Sequence, residues 1–118
     1  MSDADRSRLI AELGFMGWQA IDHWLGDGDY YGFNLSRYRE AIAEYEKAWG
    51  LLVTPWQRKT MGTFILEGIA DFALRSGDPE LVGEILERLR RDSDGIPAAP
   101  LREACEKLSR IAGQPNQG

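Results

Sequence analysis

The run from Phe64 to Glu80 constrains this chain more than any other stretch, because one helix must stop inside it and another must start. Gly77 can adopt the left-handed conformation that closes a helix, since it has no Cβ to clash with the neighbouring carbonyl. Asp78 can accept hydrogen bonds from the orphan amides of the next helix, and Pro79 has the φ angle of a first helical position. Two antiparallel helices around a tight turn follow from these three residues alone.

Similar punctuation divides the rest of the chain. Ser2 and Asp5 have the spacing of a capping box with a shortened carboxylate, which starts a first helix near Asp3 and predicts its end near Leu25. Its expected apolar stripe is Leu9, Leu13, Met16, Ala20 and Trp24, widened by Ile10, Gly17 and Ile21; Gly14 and Gly17 suggest close approach of another helix. Gly26, Gly28 and Gly32, with Asp27 and Asp29, read as a loop to Asn34, after which Asn34 or Ser36 caps a second helix. Tyr38, Ala41, Ile42, Tyr45, Ala48, Trp49 and Leu52 repeat at three and four residues along that helix.

Thr54 and Pro55 mark the next start, and a third helix is predicted from Pro55 to Ser76. On it Met61, Phe64, Ile65, Gly68 and Phe72 share one side, and Glu67 and Asp71 fall opposite, toward water. A fourth helix, Pro79 to Arg91, presents Leu81, Val82, Ile85, Leu86 and Leu89, and its terminal Arg88, Arg90 and Arg91 complement the helix dipole. After a loop over residues 92–99, Pro100 opens a fifth helix with Leu101, Ala104, Cys105, Leu108 and Ile111. No stretch alternates apolar and polar residues between turn signals, so no strand is assigned. The expectation is an all-α fold of about five antiparallel helices, one domain over residues 1–113, with a fraying tail at 114–118.

With 118 residues, 43% of them hydrophobic, the chain can bury roughly 65% of the surface exposed when unfolded. A formal charge of −5 disfavours nucleic acid, which is held by Lys and Arg faces, and suits a basic protein partner. The amino terminus has no basic and apolar signal pattern and no apolar run approaches a membrane span, so a cytoplasmic protein without membrane association is expected.

Catalytic chemistry has little to work with. One histidine and one cysteine cannot form a transition-metal site, and Cys105 sits at an apolar position suited to core packing. His23 and Asp27, four residues apart, can share a hydrogen bond that orients a half-buried imidazole, but no nucleophile completes a triad. The carboxylate pairs Glu40 with Glu44 and Glu67 with Asp71 lack the histidines of a di-metal helix site. The glycine-rich segment around residue 28 carries two aspartates and no cation, which rules against a phosphate cradle. No cofactor, metal or enzymatic activity is expected.

One cluster invites a binding role: Trp18, Asp22, His23, Trp24, Asp27, Asp29, Tyr30 and Tyr31. Aromatics favour interface centres and carboxylates pair with a partner's Lys or Arg, although both tryptophans also suit the core. The partner-binding candidates are therefore Asp27, Asp29, Tyr30 and Tyr31, with Glu67 and Asp71 as a second choice.

The hairpin over residues 64–89 resembles a tetratricopeptide-type unit. Tyr45-Glu46-Lys47-Ala48-Trp49 with Leu51-Leu52, then Pro55, Phe64-Ile65-Leu66, Ile69-Ala70-Asp71 and Gly77-Asp78 resemble the small tetratricopeptide-like immunity proteins of bacterial polymorphic toxin systems. The likeness covers about a third of the chain; Ala70 stands where that pattern has glycine, and a single helix follows where a full hairpin would continue. The resemblance implies stacked hairpins and a non-enzymatic protein that binds and blocks a cognate toxin, whose basic domain acidic side chains would steer. A tetratricopeptide-like adaptor or regulatory subunit is the alternative, and an enzyme using His23 with Asp27 a distant third. Apolar surface left at the ends of an incomplete stack also invites homodimerisation.

Overall fold

A computed structural model describes residues 2–92 and 98–113, which are all-α with no strand among them. Helix α1 spans Asp3–Asp29 and runs into a π-helical turn, π1, at Tyr30–Asn34; α2 spans Tyr38–Gly50. A continuous rod follows, made of α3 (Pro55–Gln57), a π-wound stretch π2 (Arg58–Gly62) and α4 (Thr63–Ser76). Helices α5 (Pro79–Asp92) and α6 (Ala98–Ala112) complete it, so with the rod taken as one there are five helices among the described residues. Of the loop expected over 92–99, Asp92, Ala98 and Ala99 are helical, while residues 93–97 and the expected tail lie outside the described residues.

The punctuation works as the residues dictate. Gly77 takes φ 64° and Asp78 Oδ1 accepts from Glu80 N–H at 3.0 Å, closing α4 and opening α5. Thr54 forms a full capping box: Gln57 N–H donates to Thr54 Oγ1 at 3.2 Å, and Gln57 Oε1 accepts from Thr54 N–H at 3.3 Å. The same buried Gln57 amide donates to Glu12 Oε1 at 3.0 Å, and Arg8, paired to Glu12 at 2.7 Å, lies 3.8 Å over the Trp56 ring. Hydrogen bonds from Arg8 and then Gln57 hold the Glu12 carboxyl below the usual carboxylate range. A capping motif thus also anchors the first half of α1 to the α2–α3 corner.

Five expectations are corrected. Neither Gly14 nor Gly17 marks a close approach of another helix: nothing lies within 4 Å of the would-be Cβ of Gly14, that of Gly17 meets only Leu13 of its own helix, and Gly14 takes φ 78°, ψ 160°, kinking α1. The kink resets the helical register, so Leu9 and Ile21 are buried while Met16, expected in the stripe, is 83% exposed. The segment from Gly26 to Asn34 is helical, not a loop, because Gly28 and Gly32 are buried beneath aromatic rings. Neither Asn34 nor Ser36 caps α2; Ser36 takes a left-handed φ of 54° and Arg37 occupies the cap position, its N–H bonded to Tyr31 O at 2.8 Å.

Phe64 is the fifth, at 59% exposure instead of in the core. Helix α4 is covered by α2 on one flank and by α5 and α6 on the other, which moves its buried arc to Ile65, Leu66, Ile69, Ala70, Phe72 and Ala73. Its neighbours approach closely through glycine. A Cβ at Gly28 of α1 would lie 2.5 Å from the Tyr45 ring and one at Gly68 of α4 would lie 2.2 Å from that ring's other edge. A Cβ at Gly32 would likewise lie 2.2 Å from the Phe72 ring, and one at Gly62 would lie 2.6 Å from the Trp49 ring. Each missing methyl group is filled by an aromatic edge, which restores interior packing density.

Helices are thus stacked in the order α1, α2, α4, with α5 and α6 against α4 and each other. The resulting body measures 51 × 30 × 19 Å. Its short dimension fits two helix layers at interaxial spacings of about 8–10 Å. Between α2 and α5, Arg39 reaches Glu84 at 3.2 Å and Asp78 at 3.5 Å, and Arg88 binds Glu46 instead of capping its own helix. Exposed pairs of this kind contribute roughly 0–1 kcal/mol each, so they orient the layers more than they hold them.

Candidate functional site

Tyr45 is the centre from which the site is built. Its ring is wedged between α1 and α4, and its hydroxyl emerges to donate to Asp29 Oδ1 at 2.5 Å. Burial pushes the Tyr45 hydroxyl pKa well up, helped by the hydrogen bond to Asp29 and by the charges of Asp29 and Asp71. Asp29 and Asp71, 42 residues apart in the chain, thereby share one electrostatic neighbourhood. Asp71 also accepts from Arg75 Nε at 2.8 Å, and the Arg75 guanidinium lies 5.0 Å over Phe33, whose ring packs 5.2 Å from Phe72.

On the other side of Asp71 a cleft of about 260 Å³ opens between α4 and α6. Ala70, Leu74 and Ala104 make its apolar floor; Glu67, Asp71, Glu103 and Lys107 stand around it. Lys107 and Glu103 pair at 3.6 Å. Leu101 and Leu108, buried along α6, seat that helix on α4 and so set the cleft. Glu67 and Asp71, expected to face water and offered as contact candidates, reach solvent as half-exposed walls of a groove. Phe64, one turn before Glu67, is exposed on the same helix.

The rest of the aromatic and acidic cluster is dispersed. Asp27 pairs with His23 at 3.2 Å, and both are open to water, with side chains 45% and 70% exposed, so this imidazole is not half-buried as expected. Trp18, Trp24 and Tyr31 pack against the core, as the packing reading of the tryptophans had it. Tyr30, the first residue of π1, is exposed with its ring 6.3 Å from that of Tyr31, and helical spacing places it on the same side of α1 as Phe15 and Met16. Glu67 and Asp71 therefore line the cleft together, Asp29 is tied to their neighbourhood through the Tyr45 hydroxyl, and Asp27, Tyr30 and Tyr31 are not part of the cleft lining. Residues that the sequence reading missed are Tyr45, Phe33, Glu103 and Lys107. For Glu103 and Lys107 a signal existed, the four-residue spacing of opposite charges on the polar face of α6.

Among the described residues, no group of three or more His, Cys, Asp or Glu side chains could hold a metal ion. Cys105 packs beside the core, and burial pushes its thiol up, away from the thiolate that redox or nucleophilic chemistry needs. No described helix is long and apolar enough to cross a membrane. Compared with known proteins, the chain matches no family model, no curated protein and no solved structure.

Proposed function

We propose that this chain is a non-enzymatic protein-binding module of tetratricopeptide-like hairpins, acting in the cytoplasm as an immunity protein that binds and neutralises a cognate bacterial toxin. The observation that carries the binding reading is the cleft where Glu67, Asp71 and Glu103 stand around an apolar floor with Lys107, Asp71 being paired to Arg75 and lying near the Asp29–Tyr45 hydrogen bond on its other side. The toxin reading rests in addition on the resemblance over residues 45–78 and on the net charge of −5.

Such a face suits a basic partner for two reasons. Carboxylates of one sign in a groove with low-dielectric walls concentrate the field and speed association with a cationic surface. The exposed rings of Phe33 and Phe64 beside them offer apolar anchors, and the Ala70, Leu74 and Ala104 floor accepts the aliphatic stem of an incoming Lys or Arg. Arg75 and Lys107 are paired to Asp71 and Glu103, so a partner must displace or bridge them. That requirement favours a planar, bidentate guanidinium over an ammonium.

Co-expression with the product of the adjacent upstream gene tests the reading. The expected result is a purifiable complex and rescue of growth, both lost when Glu67 and Asp71 are reversed to Lys. Absence of complex and of rescue sinks it, and a complex with a cellular protein without rescue would mark an adaptor instead.

A further inference from the structure

The kink at Gly14 has a consequence on the outside of α1. Beyond it, the helical face turned away from α2 carries Phe15, Gln19, Asp22, His23, Gly26 and Tyr30, spaced by three and four residues. Phe15 is 66% exposed and Tyr30 54%, with Met16 beside them. Terminal helices of a stack ordinarily turn a polar face to water. This one places large apolar side chains at both ends of a stripe and polar side chains in its middle.

The stripe is self-complementary. When a second α1 is laid antiparallel across it on a two-fold axis between Asp22 and His23, Phe15 meets the second copy's Tyr30, Gln19 meets its Gly26, and Asp22 meets its His23. Each contact then occurs twice, as an isologous interface requires. An aromatic faces an aromatic and a carboxylate faces an imidazole. At Gly26 nothing lies within 4 Å of the would-be Cβ, which leaves room for the long Gln19 side chain opposite.

Phe15 and Tyr30 are separated by roughly 22 Å along the axis, at 1.5 Å per residue. Side chains as large as Phe15, Met16 and Tyr30, at these exposures, present roughly 400 Å² of apolar surface per copy. With the four polar or small positions between them, the pair would bury roughly 1,200 Å², the lower bound for a specific interface. We infer that a second copy of this chain covers the outer face of α1, forming an antiparallel two-fold dimer in that register. This surface is separate from the acidic cleft, and the inference is independent of the partner-binding reading.

Sedimentation equilibrium of the full chain between about 1 and 100 µM tests it, since that range brackets the affinity of an interface this size. A monomer–dimer equilibrium is expected. Phe15→Glu and Gly26→Arg, both at open positions, should each raise the dissociation constant at least about tenfold with unchanged far-UV circular dichroism. Asp22→Lys should weaken the dimer, and adding His23→Asp should restore it, because the two changes exchange the ends of each cross-axis pair. A chain monomeric throughout the range overturns the inference, as does a dimer whose constant moves less than about twofold in Phe15→Glu and Gly26→Arg. Failure of the paired exchange to restore association overturns the antiparallel register.

Discussion

The outer face of α1 and the cleft between α4 and α6 are both open to solvent and both combine apolar with ionisable side chains, yet they are made differently. The first is one helix: Phe15, Gln19, His23, Gly26 and Tyr30 lie within 16 residues of each other, and helical periodicity alone aligns them. The second is assembled from α4 and α6, with Asp29 of α1 hydrogen-bonded to the Tyr45 hydroxyl on which the Asp71 charge also acts. Apolar contact dominates the first, so its association should scale with buried area and resist salt. Charge dominates the second, so it should act through steering and weaken as salt screens it. One surface is a local product of sequence, the other a product of packing.

The largest expected effect removes the ground on which both stand. Phe72 contacts Phe33, Tyr38 and Tyr45 and is fully buried, so Phe72→Ala should cost about 3–5 kcal/mol, read as a shift in the urea midpoint. Both faces should fail together. Next, reversal of Glu67 and Asp71 to Lys should weaken a complex with a basic partner about 100-fold while leaving the α1 association constant unchanged. Loss of both by sedimentation and binding measurements would show the surfaces to be coupled.

A smaller effect is expected from Gly68→Ala. Its Cβ would meet the Tyr45 ring at 2.2 Å, and Gly28 closes the opposite edge, so the ring has nowhere to retreat. Overpacking of this kind costs about 1–3 kcal/mol, offset by the roughly 1 kcal/mol gain in helix propensity. A net gain in thermal stability would mean that the ring can turn aside. Tyr45→Phe should cost about 1 kcal/mol at neutral pH, by loss of the hydrogen bond to Asp29.

Tyr45 also sets an alkaline limit. Its folded pKa is raised, so the stabilising contribution is complete below about pH 10, where an unfolded tyrosine ionises. Above that, the unfolded chain releases a proton that the folded chain retains, and stability falls as pH rises. In Tyr45→Phe this part of the alkaline loss should disappear from a pH series of unfolding curves.

Much of the fold was legible because its signals are short-ranged. Gly77, Asp78 and Pro79, the Thr54 capping box and the Leu81 to Leu89 stripe act within one or two turns of the backbone, and each element they announce is present. Charge arguments from single helices placed Glu67 and Asp71 on one stripe of α4, and that stripe is a wall of the cleft. Expectations failed where a residue's meaning depends on what faces it. Gly28 and Gly32 look like helix breakers until the Tyr45 and Phe72 rings occupy the space a Cβ would need, and then the same glycines become what allows α1 and π1 to pack. Met16 leaves the predicted stripe because one left-handed residue, Gly14, resets the register beyond it.

The sequence by itself determined where the helix from Pro55 starts, where it stops at Gly77 and where the next one opens, since those caps are satisfied by neighbours in the chain; it did not determine where α1 ends, because Gly26 to Asn34 is held helical by rings from elsewhere in the fold. Tertiary structure decided which face of each helix is a surface. Close approach between helices is a property of two sequences at once, and a carboxylate such as Asp29 acquires its role only when Tyr45 is brought to it.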